Sequence, residues 1–159
     1  MENRKNDGLE LRMYSLVLYS LSGIQKGIQA YHASIRYALK HFNDEDFQQW
    51  ASKDQTVILL SGGGSGDMIM NCEEMKKIGL KFVQFHEPDL NFSLSAASFL
   101  LDERVWNKEK YPDFKKWMEL TYPGVHNRDY PNYKDEWVKS IGGEDIRNRR
   151  EFISNFKLA

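Results

Sequence analysis

A chain of 159 residues, 41% hydrophobic and 28% charged, has the length and balance of one packed domain with an appendage. Its net charge of −1 supplies no overall attraction to nucleic acid or to an anionic membrane. The single cysteine, Cys72, excludes an intramolecular disulfide and any metal site built from several thiolates, and fits a reducing cytosol.

Residues 1–11 carry charges where a secretory signal needs an apolar core, so Met1–Glu10 reads as a loose polar tail. No apolar run reaches the ~20 residues that span a bilayer, so no membrane partner and a cytoplasmic location are expected. From Met13 the pattern changes. Tyr14, Leu16 and Leu18 alternate with Ser15, Val17 and Tyr19, both sets largely apolar, as in a central strand covered on two faces. Ser20-Leu21-Ser22-Gly23 breaks the alternation, and Ser22 caps a helix that begins at Gly23 and Ile24. Ile24, Ile28, Tyr31, Ile35, Ala38, Leu39 and Phe42 follow at three- and four-residue spacing, an apolar stripe expected to lie on the sheet. Gln25, Gln29, His32 and Arg36 line another face, beside the strand's carboxyl end and the unpaired amides of the helix N-terminus. The plainer account of that face is solvation.

Asn43-Asp44-Glu45-Asp46 caps a short helix that turns Phe47 and Trp50 inward, and Thr56–Leu60 is a second apolar strand. The run Ser61-Gly62-Gly63-Gly64-Ser65-Gly66-Asp67 sits where a phosphate cradle would. It lacks the Lys-Ser/Thr of a P-loop and reads as a flexible connection. Met68, Cys72, Met75 and Ile78 give the next helix its apolar side, Gly79 caps it, and Leu80–Phe85 is a third strand. His86, Glu87 and Asp89 leave that strand together, with Pro88 bending the path, at the carboxyl end where open α/β sheets bind ligands. Leu94–Leu101 returns as a fourth strand. Alternating strands and helices predict an α/β fold, a three-layer α/β/α sandwich on a four-stranded mixed sheet, followed by a helical C-terminal extension. In it His32 and Asp89 are expected to converge, a histidine whose carboxylate neighbour leaves one ring nitrogen free to take a proton. His86 and Glu87 read as solvated loop residues.

The run Gln29-Ala30-Tyr31-His32-Ala33, on a helix directly after a first strand, resembles the Gln-x-x-His-Ala signature of type 2 peptidyl-tRNA hydrolases. Gly79-Leu80, a strand, then Glu87-Pro88-Asp89-Leu90 resembles that family's second conserved segment, closest to short bacterial and phage relatives, over residues 12–103. The resemblance implies that His32 and Asp89 are catalytic in cleaving the ester between a peptide and the terminal ribose of tRNA. It implies substrate contacts from Gln25, Lys26, Gln29, Arg36 and Ser93, with no metal and no cofactor. Two segments depart from the family. Its Lys-Gly-Lys run is replaced by Gly23-Ile24-Gln25, with Lys26-Gly27 out of register, and its Asp-Ala-Gly-x-Thr loop by Asp89-Leu90-Asn91-Phe92-Ser93.

Residues 104–159 lie outside the resemblance. They hold 12 Lys/Arg against 9 Asp/Glu and 10 of the 21 aromatic residues. Helices are predicted from Tyr111 to Leu120, Tyr133 to Ile141 and Glu144 to Phe156, with a connector over 123–132 and Gly142-Gly143 between the last two. The aromatics are expected to bury against the chain's own sheet or a symmetric partner, and Arg147, Arg149 and Arg150 offer an RNA-facing alternative. Three functions remain open at this level: a diverged hydrolase, a noncatalytic binder of tRNA or a nucleotide, and an interaction or inhibitor module, with a homodimer as a further partner.

Overall fold

The computed structural model describes residues 8–125 and 130–159. The expected tail over residues 1–10 lies, apart from Gly8–Glu10, outside the described residues, as does the middle of the expected connector over 123–132. Two compact units form: residues up to Asp102 together with Asn155–Ala159, and Glu103–Ser154.

The first unit is built on four strands: β1 (Leu11–Val17), β2 (Thr56–Ser61), β3 (Val83–Glu87) and β4 (Ser93–Asp102). They run in the order β2-β1-β4-β3. β1 pairs parallel with β2, from Arg12 opposite Thr56 to Val17 opposite Ser61, and antiparallel with β4, from Leu11 opposite Asp102 to Val17 opposite Ala96. β3 pairs antiparallel with β4, with a register shift between Phe85 and His86. β1, β2 and β3 therefore run parallel, and two crossovers join them in opposite directions across the sheet. Because such crossovers are right-handed, they must cover opposite faces. Helix α1 (Gly23–His41) serves the first crossover and α3 (Ser65–Lys77) the second, which gives the predicted α/β/α layers.

The pleat sorts the core accordingly. Met13, Val17, Phe85, Ala96 and Leu100 meet Ala30, Ala33 and Tyr37 of α1, and Phe47 of the short α2 (Glu45–Gln49) joins Met13 and Tyr37. On the other side Tyr14 stacks on Phe99 at 5.9 Å, and Met68, Cys72 and Met75 are the buried residues of α3. A π-helical turn over Trp50–Asp54 leads into β2, where the Trp50 indole donates to the Thr56 carbonyl at 2.9 Å.

α1 lies on the sheet by a different face from the one its sequence predicts. Its buried residues are Gln29, Ala30, Ala33 and Tyr37. Ile24, Ile28, Tyr31, Ile35, Leu39 and Phe42 are instead 43–80% exposed; of that stripe Ala38 packs against the core, and the Phe42 ring lies 6.5 Å from that of Phe47. Small side chains let the helix approach the sheet closely, and the large ones are left outside.

The Ser61–Asp67 run is a close-packed turn rather than a flexible connection. Gly62 is buried, and a Cβ there would collide with Met68 Sδ and stand 3.3 Å from both Leu16 Cβ and the Val17 carbonyl. Gly63 takes φ +80°, a left-handed angle that favours glycine. α3 starts at Ser65, ahead of the predicted Met68. β3 begins at Val83 rather than Leu80, because Gly79, at φ +68°, wraps the chain back so that Leu80 N–H bonds the Met75 carbonyl at 2.9 Å. Beyond β2, Leu158 bridges Leu60, the Ser61 amide donates to the Lys157 carbonyl at 2.9 Å, and the Ala159 amide donates to the Leu59 carbonyl at 3.1 Å.

The second unit comprises α4 (Glu103–Trp106), α5 (Phe114–Thr121), α6 (Tyr130–Ile141) and α7 (Glu144–Ser154). α6 begins at Tyr130, inside the expected connector, with Pro131 in the first turn where its missing N–H costs nothing. α7 ends at Ser154, two residues before the predicted Phe156. The aromatics bury against one another: Phe114 against Trp137 (5.7 Å), Trp117 against Tyr122 (5.8 Å) and Tyr122 against Tyr133 (4.6 Å).

Candidate functional site

The buried amide of Gln29 organises the polar residues at the carboxyl ends of β1 and β3. Its Nε2 donates to Glu87 Oε2 at 2.6 Å, and its Oε1 accepts from the Ser95 hydroxyl at 2.5 Å. The Phe85 carbonyl, 3.3 Å from Ser95 Oγ, is a second acceptor for that hydroxyl. Gln29 reaches Glu87 because Ala30 and Ala33, which follow it, hold α1 close to the sheet, and because the register shift after Phe85 re-aims the end of β3. Glu87 also accepts the backbone N–H of Asp89 on Oε1 at 3.3 Å. The Gln29 hydrogen bond, the Asp89 amide and the nearby His32 charge hold the Glu87 carboxyl below its ordinary pKa, against a smaller opposing effect of burial.

One turn along α1, the His32 ring stacks on Phe85 at 4.6 Å, with an interplanar angle of 15°. The Arg36 guanidinium carbon lies 5.1 Å from the centre of the same ring, a cation–π distance. Phe85 thus serves as a plate that orients the imidazole and an adjacent cation, while Glu87 sits within electrostatic reach of His32. An imidazole held in place beside a carboxylate has the arrangement of a general base toward water.

Other residues named from the sequence stand elsewhere. Gln25 completes a capping box, its N–H bonding Ser22 Oγ at 3.3 Å and its Oε1 accepting from the Ser22 amide at 3.2 Å. Lys26 follows it in the first turn, its amide bonded to the Ser22 carbonyl at 2.9 Å. Asp89 is exposed on a 3-10 turn over Pro88–Leu90 and joins the cluster through its backbone rather than its carboxylate. Ser93 turns its hydroxyl onto the Leu90 carbonyl at 2.6 Å. The turn closes through Asn91 (φ +54°) and Phe92 (φ +56°), with the Phe92 amide bonded to the Glu87 carbonyl at 2.9 Å. Left-handed phenylalanine is a costly conformation, and it places an exposed aromatic ring next to the Glu87 turn.

Sequence reasoning passed over Ser95, and it named Glu87 at the end of the third strand but read it as a solvated loop residue. Their one signal was position: Glu87 stands at the end of a strand facing a helix with a glutamine among alanines.

Two further expectations change. The N-terminus of α3, considered as a phosphate cradle, is served by its own chain, since Asp67 Oδ2 accepts the Gly64 amide at 2.9 Å. Two of the three arginines expected to meet RNA, Arg147 and Arg150, are engaged within the second unit. Arg147 pairs with Glu144 at 2.7 Å and Glu151 at 3.4 Å. Buried Arg150 donates to the Arg104 and Tyr111 carbonyls and to Asp113 Oδ1 at 3.0 Å. Among the described residues no group of three or more His, Cys, Asp or Glu is placed to hold a metal, and no helix is long and apolar enough to cross a membrane.

No protein-family model matches this chain, and no curated protein matches it.

Proposed function

We propose that the protein is a peptidyl-tRNA hydrolase-like esterase, in which His32 takes a proton from water and Glu87 supports the imidazolium that results. The observation that carries the reading is the Ser95–Gln29–Glu87 chain, which fixes a carboxylate within the field of the signature histidine. The water oxygen adds to the ester carbonyl. The tetrahedral species then collapses, breaking the bond to the terminal ribose oxygen, and that oxygen leaves with the proton held on His32. Gln29 acts as a positioning residue for Glu87, and Arg36, poised over Phe85, offers a guanidinium to a substrate phosphate.

A second reading, noncatalytic binding of tRNA or a nucleotide in the same pocket, draws on one observation. Gln25 stands where the resembling family has a lysine, and its side chain is committed to the capping box.

Release of the acyl-amino acid from N-acetyl-aminoacyl-tRNA decides between them. Hydrolysis by the wild type, lowered about 10²–10⁴-fold by His32→Ala and also reduced by Glu87→Gln, both variants keeping native circular dichroism, is the expected result. A wild type that releases nothing where a working hydrolase does would exclude the esterase. Salt-dependent tRNA retention on a filter would then support the binding reading.

A further inference from the structure

The outward face of α1 is an apolar stripe that the described residues leave exposed, with Phe47 touching it only at Phe42. Ile24, Ile28, Tyr31, Ile35, Leu39 and Phe42 follow one another at steps of four, three, four, four and three residues, and all six are exposed. With 100° between successive residues, they fall within a band roughly 100° wide, opposite the Ala30, Ala33 and Tyr37 side that meets the sheet. Steps of three and four are those of a helix–helix seam. An isolated exposed leucine needs no explanation, but six large side chains along five turns of one helix form a patch of the kind that marks an interaction surface.

We propose that this face joins two copies of the chain, α1 packing antiparallel on the α1 of its partner about a two-fold axis. The accessible part of the six side chains amounts to roughly 700 Å², close to the roughly 800 Å² that each partner contributes to a standard interface. The residues bordering the stripe include Gln25, Gly27, His32 and Ser34, with no Lys, Arg, Asp or Glu among them. Lys26, Arg36 and Lys40, the fixed charges of the helix, project from its sheet side or its flank. Two copies therefore meet without apposing like charges, whereas a different partner is ordinarily selected by charges along such a border. Gly27 and Ser34 on one border allow close backbone approach. Antiparallel packing opposes the two helix dipoles and makes the contact self-complementary. Tyr31 of one copy then meets Ile35 of the other, and Ile24 meets Phe42.

Sedimentation of the full chain, with Ile28→Glu, Ile35→Glu and the apolar control Ile35→Leu, tests this. The wild type and the leucine variant should sediment at twice the 18.7 kDa chain mass. Each glutamate variant should be a monomer with unchanged helical circular dichroism and a melting temperature that no longer rises with protein concentration, its dissociation constant raised at least about a hundredfold by burying a charge in an apolar seam. A monomeric wild type overturns the proposal, including one that binds anionic phospholipid vesicles through this face. A dimer that survives both glutamate substitutions overturns it as well, by placing the contact elsewhere.

Discussion

Gln29 occupies a position where a helix packed on a sheet ordinarily carries an apolar side chain, and its amide is satisfied at both ends. Replacing it with methionine keeps the bulk and removes the bonds. Gln29→Met should cost roughly 1–3 kcal/mol in a denaturant titration, because the buried Ser95 hydroxyl loses its best acceptor. The Glu87 carboxyl should also titrate closer to its ordinary value when followed by NMR. His41 makes a pH-dependent contribution of its own. Its Nδ1 meets Asp44 at 3.0 Å while its Nε2 is buried without a partner, and burial, together with the Lys81 and Lys40 charges, lowers its pKa against the opposing pull of Asp44. The unfolded chain therefore takes up this proton at a higher pH than the folded one. The stability contributed by neutral His41 is complete above about pH 6.5 and is lost as pH falls through the lower folded value. Unfolding measured from pH 7.5 down to pH 5 should show this loss, and His41→Phe should flatten it.

Helix α1 shows how an element can be recognised and still be placed on the wrong face. Its limits and its cap were legible from Ser22 and the three-and-four periodicity, while the Gln25 side chain, read as facing substrate, closes a capping box on Ser22 instead. The periodicity alone could not say which of two stripes meets the sheet, since the outer stripe is the more hydrophobic. Close approach decided it: alanines at 30 and 33 bring the backbone near Val17, Phe85 and Ala96. Substitution on the two faces should reflect this. Ala33→Leu forces three extra heavy atoms into a filled space and should destabilise by about 1–3 kcal/mol. Ile24→Ser, at the most exposed position of the stripe, should stay within about 0.5 kcal/mol when both substitutions are compared in the Ile35→Glu background, where no second copy covers the stripe. Chemical denaturation of the pair reads both, and a reversed order would mean that the helix is turned the other way. Gly62→Ala extends the same reasoning to the β2–α3 turn, where the added methyl meets Met68 and Leu16, and a similar loss is expected.

At the scale of the molecule, residues 155–159 belong with the sheet although the helices just before them form a separate unit. They cover the outer edge of β2 through the Lys157 carbonyl, the Ala159 amide and the Leu158 bridge. A chain shortened by these five residues should retain the helical signal of the second unit but expose an apolar strand edge. Faster aggregation on warming, followed by light scattering, is the expected consequence. The second unit has its own anchor in Arg150, which ties Arg104, Tyr111 and Asp113 together. Several of its aromatic residues pack on one another, Phe114 on Trp137 and Tyr122 on Trp117 and Tyr133.

The sequence by itself determined the elements, their order and the layer type. Strand alternation, caps and glycine turns are local, and the right-handed crossover rule converts that order into helices on opposite faces. The candidate histidine, His32, and its helix were equally plain from Gln29-Ala30-Tyr31-His32-Ala33. Only the tertiary structure decided which carboxylate reaches the histidine's side of the sheet. The register shift after Phe85 and a buried glutamine select Glu87, whereas Asp89 stands on an exposed turn beyond it. The same holds for the orientation of α1, the engagement of Arg150 and the return of Leu158 to β2. Each rests on contacts between residues tens of positions apart, and those depend on how tightly two surfaces can close rather than on any pattern within one of them.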